Sequence, residues 1–83
     1  VFISAEREVI RRQVGDKPHR PCIFELVYFA RPDSLLDGMS VYRTRVRFGD
    51  ALGRQWRREG APTPDVVIPI PDSSRDAAMG MSQ

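Results

Sequence analysis

Val66-Val67-Ile68-Pro69-Ile70-Pro71-Asp72-Ser73-Ser74-Arg75-Asp76-Ala77-Ala78-Met79-Gly80 runs from a short β-branched stretch through Pro-Asp-Ser-Ser into an alanine-rich segment. That order predicts a buried strand, a tight turn and the first turns of a helix. Such a junction suits an anion. Ser73 or Ser74 is a candidate N-cap, and the free backbone N–H groups behind it favour negative charge through hydrogen bonds and the helix dipole. Asp72 and Ser73 also supply oxygen atoms of the kind that ligate a magnesium ion held by a diphosphate. A capped helix after a strand needs no ligand, so the turn alone leaves both readings open.

Upstream, a helix is predicted from Ser40 to about Gly60, with Ser40 as N-cap and Gly60, Pro62 and Pro64 as stop signals. Residues placed at 100° intervals gather Val41, Phe48, Leu52 and Trp56 into one apolar stripe, expected to face a core. Arg43, Arg47, Arg54, Arg57 and Arg58 fall on the opposite side as a solvated basic face. Gly49 and Gly53, one turn apart, cost about 1 kcal/mol each relative to alanine, which points to a second backbone packed close there. Arg45 lies inside the apolar stripe. A buried guanidinium needs a partner, and Asp33 or Glu25 is the expected carboxylate. Gly60 to Asp65 is a stiff linker. Strand, helix and strand together predict an α/β arrangement in which Val66 to Ile70 joins a mainly parallel sheet, with ligands at the carboxyl ends of its strands.

Cys22 to Ala30 is the most hydrophobic run before that last segment and is expected as a strand covered on both faces. Phe24 and Tyr28 would then share one side, about 13 Å apart. They read either as two core aromatics or as the wall of a channel or pocket. Pro32 breaks the run and leaves Arg31, Asp33 and Ser34 on one loop, pairing locally or facing a ligand. Towards the N-terminus, Val1 to Ile3 and Glu8 to Arg12 predict two short strands around a turn. Val14 to Pro21 is a loop, and its His19 reads as a solvated side chain rather than a base or metal ligand.

The 83 residues allow at most one small domain, and such chains bury only about 60% of their unfolded surface. With 41% hydrophobic and 29% charged residues, the composition is globular rather than disordered. The net charge is only +2, yet twelve of the thirteen basic residues are arginine, which favours bidentate pairing with phosphate or carboxylate. One cysteine excludes an internal disulfide. No apolar run reaches the length of a membrane span or secretory signal, so a soluble, cytoplasmic protein is expected. A chain opening on Val1-Phe2-Ile3 is expected to be an internal piece of something longer.

Two stretches carry a more specific signal. Cys22-Ile-Phe-Glu-Leu-Val-Tyr-Phe-Ala-Arg-Pro-Asp-Ser34, followed after a helix by Asp65-Val-Val-Ile-Pro-Ile-Pro-Asp-Ser-Ser74, resembles the amidophosphoribosyltransferase family. Ser40-Val-Tyr-Arg-Thr-Arg-Val-Arg-Phe-Gly49 is similar to that family's helix, so the resemblance covers essentially the whole chain. It implies a glutaminase of the N-terminal-nucleophile hydrolase type joined to a type I phosphoribosyltransferase. Ammonia released from glutamine would pass through a hydrophobic channel and displace pyrophosphate from phosphoribosylpyrophosphate, giving 5-phosphoribosylamine in purine biosynthesis. Residues 1–30 would be the C-terminal end of the glutaminase domain, and residues 31–83 the N-terminal part of the transferase domain.

By the same resemblance, Phe24 and Tyr28 match positions near the channel and the transferase site. Ser73 matches a hydroxyl associated with the magnesium that accompanies the diphosphate, with Asp72 and Ser74 beside it in the phosphate turn. The family's cysteine nucleophile and its Asp-Asp loop have no counterpart in this sequence, so no catalytic residue is assigned and the segment alone is expected to be inactive. Cys22 matches an iron–sulfur ligand of some members, but one thiolate cannot hold a cluster, and a buried small side chain is expected instead. Implied partners are phosphoribosylpyrophosphate, glutamine and further copies of the chain, with no nucleic acid and no membrane. The competing reading is a small basic module that binds RNA or another polyanion through the arginine face.

Overall fold

In place of the expected mainly parallel sheet, the computed structural model, which describes residues 1–83, has two separate antiparallel pairs. The elements in order are β1 (Phe2–Ile3), β2 (Val9–Ile10), a π-helical turn (Glu25–Phe29), β3 (Leu35–Leu36), β4 (Met39–Ser40), α1 (Val41–Arg58) and α2 (Arg75–Met81). Strands and helices both contribute, as the α/β expectation holds, but the sheet is not parallel.

The N-terminal hairpin pairs Phe2 with Ile10 and Ile3 with Val9, as the sequence suggests. Its turn is tied by the Ser4 hydroxyl, which accepts from the amides of Glu6 and Glu8. The second hairpin pairs Leu35 with Ser40 and Leu36 with Met39. Its two central residues, Asp37 and Gly38, have φ of 50° and 77°. Positive φ at both positions matches the right-handed twist of the flanking strands, and Asp-Gly is among the sequences that tolerate it. The Asp37-Gly38 dipeptide carries that hairpin signal in the sequence itself.

Helix α1 starts where predicted. Ser40 is extended, and its hydroxyl accepts from the Arg43 amide at 3.3 Å. The helix ends with Arg57 and Arg58 in its last turn, where cations complement the dipole, and Gly60 leaves it at φ 67°. Trp56 Nε1 donates to the Pro62 carbonyl at 2.8 Å and folds the linker back onto the helix.

The buried line of α1 is Val41, Arg45, Gly49 and Gly53, one residue per turn. Against its glycine end lies α2, at backbone contact: a Cβ on Gly80 would stand 2.1 Å from the Val46 carbonyl oxygen. The expected close approach at Gly49 and Gly53 is therefore present. Of the expected apolar stripe, Val41 is fully buried, whereas Phe48, Leu52 and Trp56 remain exposed. Phe48 and Leu52 each stand about 100° around the helix from the glycine that follows them, and backbone-to-backbone packing can only occur where side chains are absent.

Val66 to Ile70 forms no strand and pairs with no other segment. A β-branched run becomes a strand only when another chain segment offers a hydrogen-bonding edge, and none lies beside it. Val66, Ile68 and Ile70 face outward, while Val67 and Pro69 are half-buried. Only five of the 83 residues are buried and the radius of gyration is 18.8 Å. A compact chain of this length would have about 12 Å, so the molecule is an elongated arrangement of small units without a large core.

Candidate aromatic turn and phosphate bend

The segment expected to cross as a strand is helical instead. Ala30 N donates to the Glu25 carbonyl at 2.9 Å, and Leu26 and Val27 both donate to Ile23. With no strand edge available, these backbone groups are satisfied within the segment. Phe24 and Tyr28 still share a side, now because residues four apart meet on adjacent turns. They are 62% and 61% exposed, so they form an open surface rather than a core. The Tyr28 and Phe29 rings meet edge to face, with centroids 5.2 Å apart. Cys22, expected to be buried, is exposed in the stretch that precedes the turn.

Arg45 is buried at 3% exposure, as its position predicts, but its partners are not carboxylates. Nε donates to the Leu26 carbonyl at 2.9 Å and Nη2 to the Ala30 carbonyl at 2.8 Å. Asp33 is engaged elsewhere. Arg31 grips it with two hydrogen bonds of 3.0 and 2.8 Å, both side chains facing solvent. That hydrogen-bonded pairing holds the Asp33 carboxyl below the usual carboxylate range and raises the Arg31 guanidinium above its ordinary value. His19 lies in solvent, 2.9 Å from Asp37 of the β3–β4 turn.

At the other end of the chain, Asp72, Ser73 and Ser74 form a turn directly before α2. Asp72 is exposed and pairs with Arg75 at 2.8 Å, while Ser73 and Ser74 are half-buried. The bend is thus open to solvent rather than sealed under apolar side chains. Neither serine caps α2 as expected: Ser74 stands at the N-cap position, but its hydroxyl donates back to the Ile70 carbonyl. Since α2 has only seven residues, its dipole adds little, and any anion here would rely on the polar side chains of the bend. No three His, Cys, Asp or Glu side chains cluster closely enough to cage a metal. Magnesium commonly takes one or two protein oxygens and completes its shell with water and substrate phosphate; Asp72 and Ser73 carry oxygens of that kind, with the Asp72 carboxylate paired to Arg75.

Helix α1 touches both places. Arg45 reaches the aromatic turn, and Gly49, one turn on, packs against the helix that follows the bend. The arginines 43, 47, 54, 57 and 58 are exposed as predicted, with Arg54 paired to Asp50.

Along its whole length the chain is 48% identical, over 86 residues, to an enzyme of Pasteurella multocida named amidophosphoribosyltransferase. The chain is similar from end to end to amidophosphoribosyltransferase. The enzyme of that name from Escherichia coli is 46% identical over 85 residues, again covering 100% of this chain. The amidophosphoribosyltransferase of Methanothermobacter thermautotrophicus is 55% identical over 62 residues, or 75% of the chain. The chain spans about 17% of the length of the first two relatives and 12% of the third. No family model matches the chain. No solved structure matches it either. No helix is long and apolar enough to cross a membrane.

Proposed function

We propose that this segment serves an enzyme that transfers glutamine-derived ammonia to phosphoribosylpyrophosphate, giving 5-phosphoribosylamine. Similarity to amidophosphoribosyltransferases over the whole chain supports that reading over a polyanion-binding module. In it, residues 1–30 close a glutaminase domain and residues 31–83 open a transferase domain. Phe24 and Tyr28 wall the route of ammonia, a role suited to aromatic faces that stand exposed on one side of a turn. Asp72, Ser73 and Ser74 face the diphosphate, with the Ser73 hydroxyl among the oxygens around magnesium. The metal would neutralise charge on the departing pyrophosphate. The enzyme acts in the cytoplasm as an assembly of identical chains.

The observation that carries the site assignment is the solvent-open Asp72–Ser74 bend, anchored by α2 packing on α1 through glycine contacts. Ser73→Ala in the full-length enzyme tests it. The expected result is about a tenfold rise in the KM for phosphoribosylpyrophosphate at limiting magnesium, with glutamine hydrolysis retained. Unchanged kinetics remove Ser73 from the site.

A further inference from the structure

We propose that Arg45 is a positioning residue: it locks the turn bearing Phe24 and Tyr28 onto α1, and thereby sets that turn against the Asp72–Ser74 bend. The proposal rests on the reading of those two places as ammonia wall and diphosphate site. Its physical basis is independent of that reading.

The turn ends abruptly. Ala30 is already extended, with ψ of 147°, and Pro32 follows two residues later, so carbonyls at the end of the turn lack donors from a continuing helix. Arg45 supplies them. Its planar guanidinium presents two N–H groups to two carbonyls four residues apart, at 2.9 and 2.8 Å. A cation at the carboxyl end of a helical turn also meets the negative pole of its peptide dipoles. The buried charge has no carboxylate against it, since Asp33 is held by Arg31. Arg45 is therefore compensated mainly by the turn itself, which ties the burial of the guanidinium to the presence of the turn.

The second half of the linkage is rigid. Arg45 and Gly49 occupy successive turns of one buried line. Gly49 meets the Ala77 backbone and Gly80 meets the Val46 backbone, with no side chain between them to yield. One helix face thus holds the aromatic turn by hydrogen bonds and α2, with the bend before it, by contact. Slack at Arg45 would displace Phe24 and Tyr28 relative to the bend while leaving the glycine contacts in place.

The full-length enzyme with Arg45→Lys or Arg45→Met provides the test. Lysine keeps the charge but offers a compact ammonium in place of a planar fork. Two readouts are taken. Amide hydrogen exchange over residues 24–30 is expected to rise about tenfold in Arg45→Met and less in Arg45→Lys, with α1 unchanged. Glutamine-dependent phosphoribosylamine formation is expected to fall about tenfold in Arg45→Met, with ammonia-dependent formation and glutamine hydrolysis each within about twofold of the unsubstituted enzyme. Unaltered exchange overturns the lock. An equal fall in glutamine- and ammonia-dependent synthesis overturns the alignment role and leaves Arg45 a stability residue. If the unsubstituted enzyme forms no phosphoribosylamine from either nitrogen source, the functional reading fails, and the exchange measurement still decides whether the lock exists.

Discussion

Gly49 of α1 and Ala77 of α2 approach so closely that a Cβ on Gly49 would stand 1.8 Å from the Ala77 carbonyl oxygen. No side chain can relieve that clash, because both partners are backbone. Gly49→Ala is therefore expected to cost about 3 kcal/mol through forced separation of the helices. Gly80→Ala, at 2.1 Å from the Val46 carbonyl oxygen, should behave alike. Gly53→Ala is the control: its Cβ would meet the Met81 carbonyl at 3.1 Å, and the helix-propensity gain of about 1 kcal/mol offsets a small shift. Thermal unfolding of the three variants should separate Gly53→Ala from the other two, and equal losses would contradict the packing described.

Tyr28 and Phe24 are exposed on one side of a short turn, so truncating either removes surface without opening a cavity. Tyr28→Ala in the full-length enzyme is expected to leave glutamine hydrolysis intact while several-fold more ammonia escapes per phosphoribosylamine formed. The ratio of glutamate to phosphoribosylamine measures this. A ratio unchanged from the unsubstituted enzyme removes Tyr28 from the ammonia route.

The Arg31–Asp33 pair makes a pH prediction with a fixed sign. Asp33 is depressed first by its hydrogen bonds to Arg31, so whatever stability the pair lends is present above the ordinary aspartate pKa of about 3.9 and is lost as pH falls through the lower folded value. Near neutral pH nothing should change. Carboxyl-carbon NMR titration should place Asp33 below ordinary aspartate, and Arg31→Met should return it to the usual range. Both side chains face solvent, so high salt should shrink the effect.

Ser40 ends a hairpin and starts α1 with one side chain. Ser40→Ala removes the acceptor for the Arg43 amide and is expected to cost about 1 kcal/mol, whereas Ser40→Asp keeps it. Unfolding midpoints of the two variants should differ in that order. Equal midpoints would mean that the cap contributes nothing.

In isolation, the 83-residue chain should scatter X-rays as an elongated particle, with a radius of gyration near 18.8 Å. The exposed Phe24, Phe29, Ile68 and Ile70 should make it associate as concentration rises. A dilute-limit value near the compact figure of about 12 Å would contradict the arrangement described.

The sequence alone determined what depends on near neighbours along the chain. Ser40 and Gly60 bounded α1, Gly49 and Gly53 announced a close backbone, Arg45 fell on the buried side, and the Asp72–Ser74 turn stood at the head of a helix. Each of these is set within a few residues by capping, steric freedom or the helical repeat. Tertiary structure decided what required a partner from elsewhere: Cys22 to Ala30 coiled and Val66 to Ile70 stayed unpaired because a strand exists only beside another strand, whatever its own preference. Arg45 likewise found backbone carbonyls instead of a carboxylate. The pattern of one helix shows that a charge is buried, while the end of another segment, arriving through space, determines what answers it.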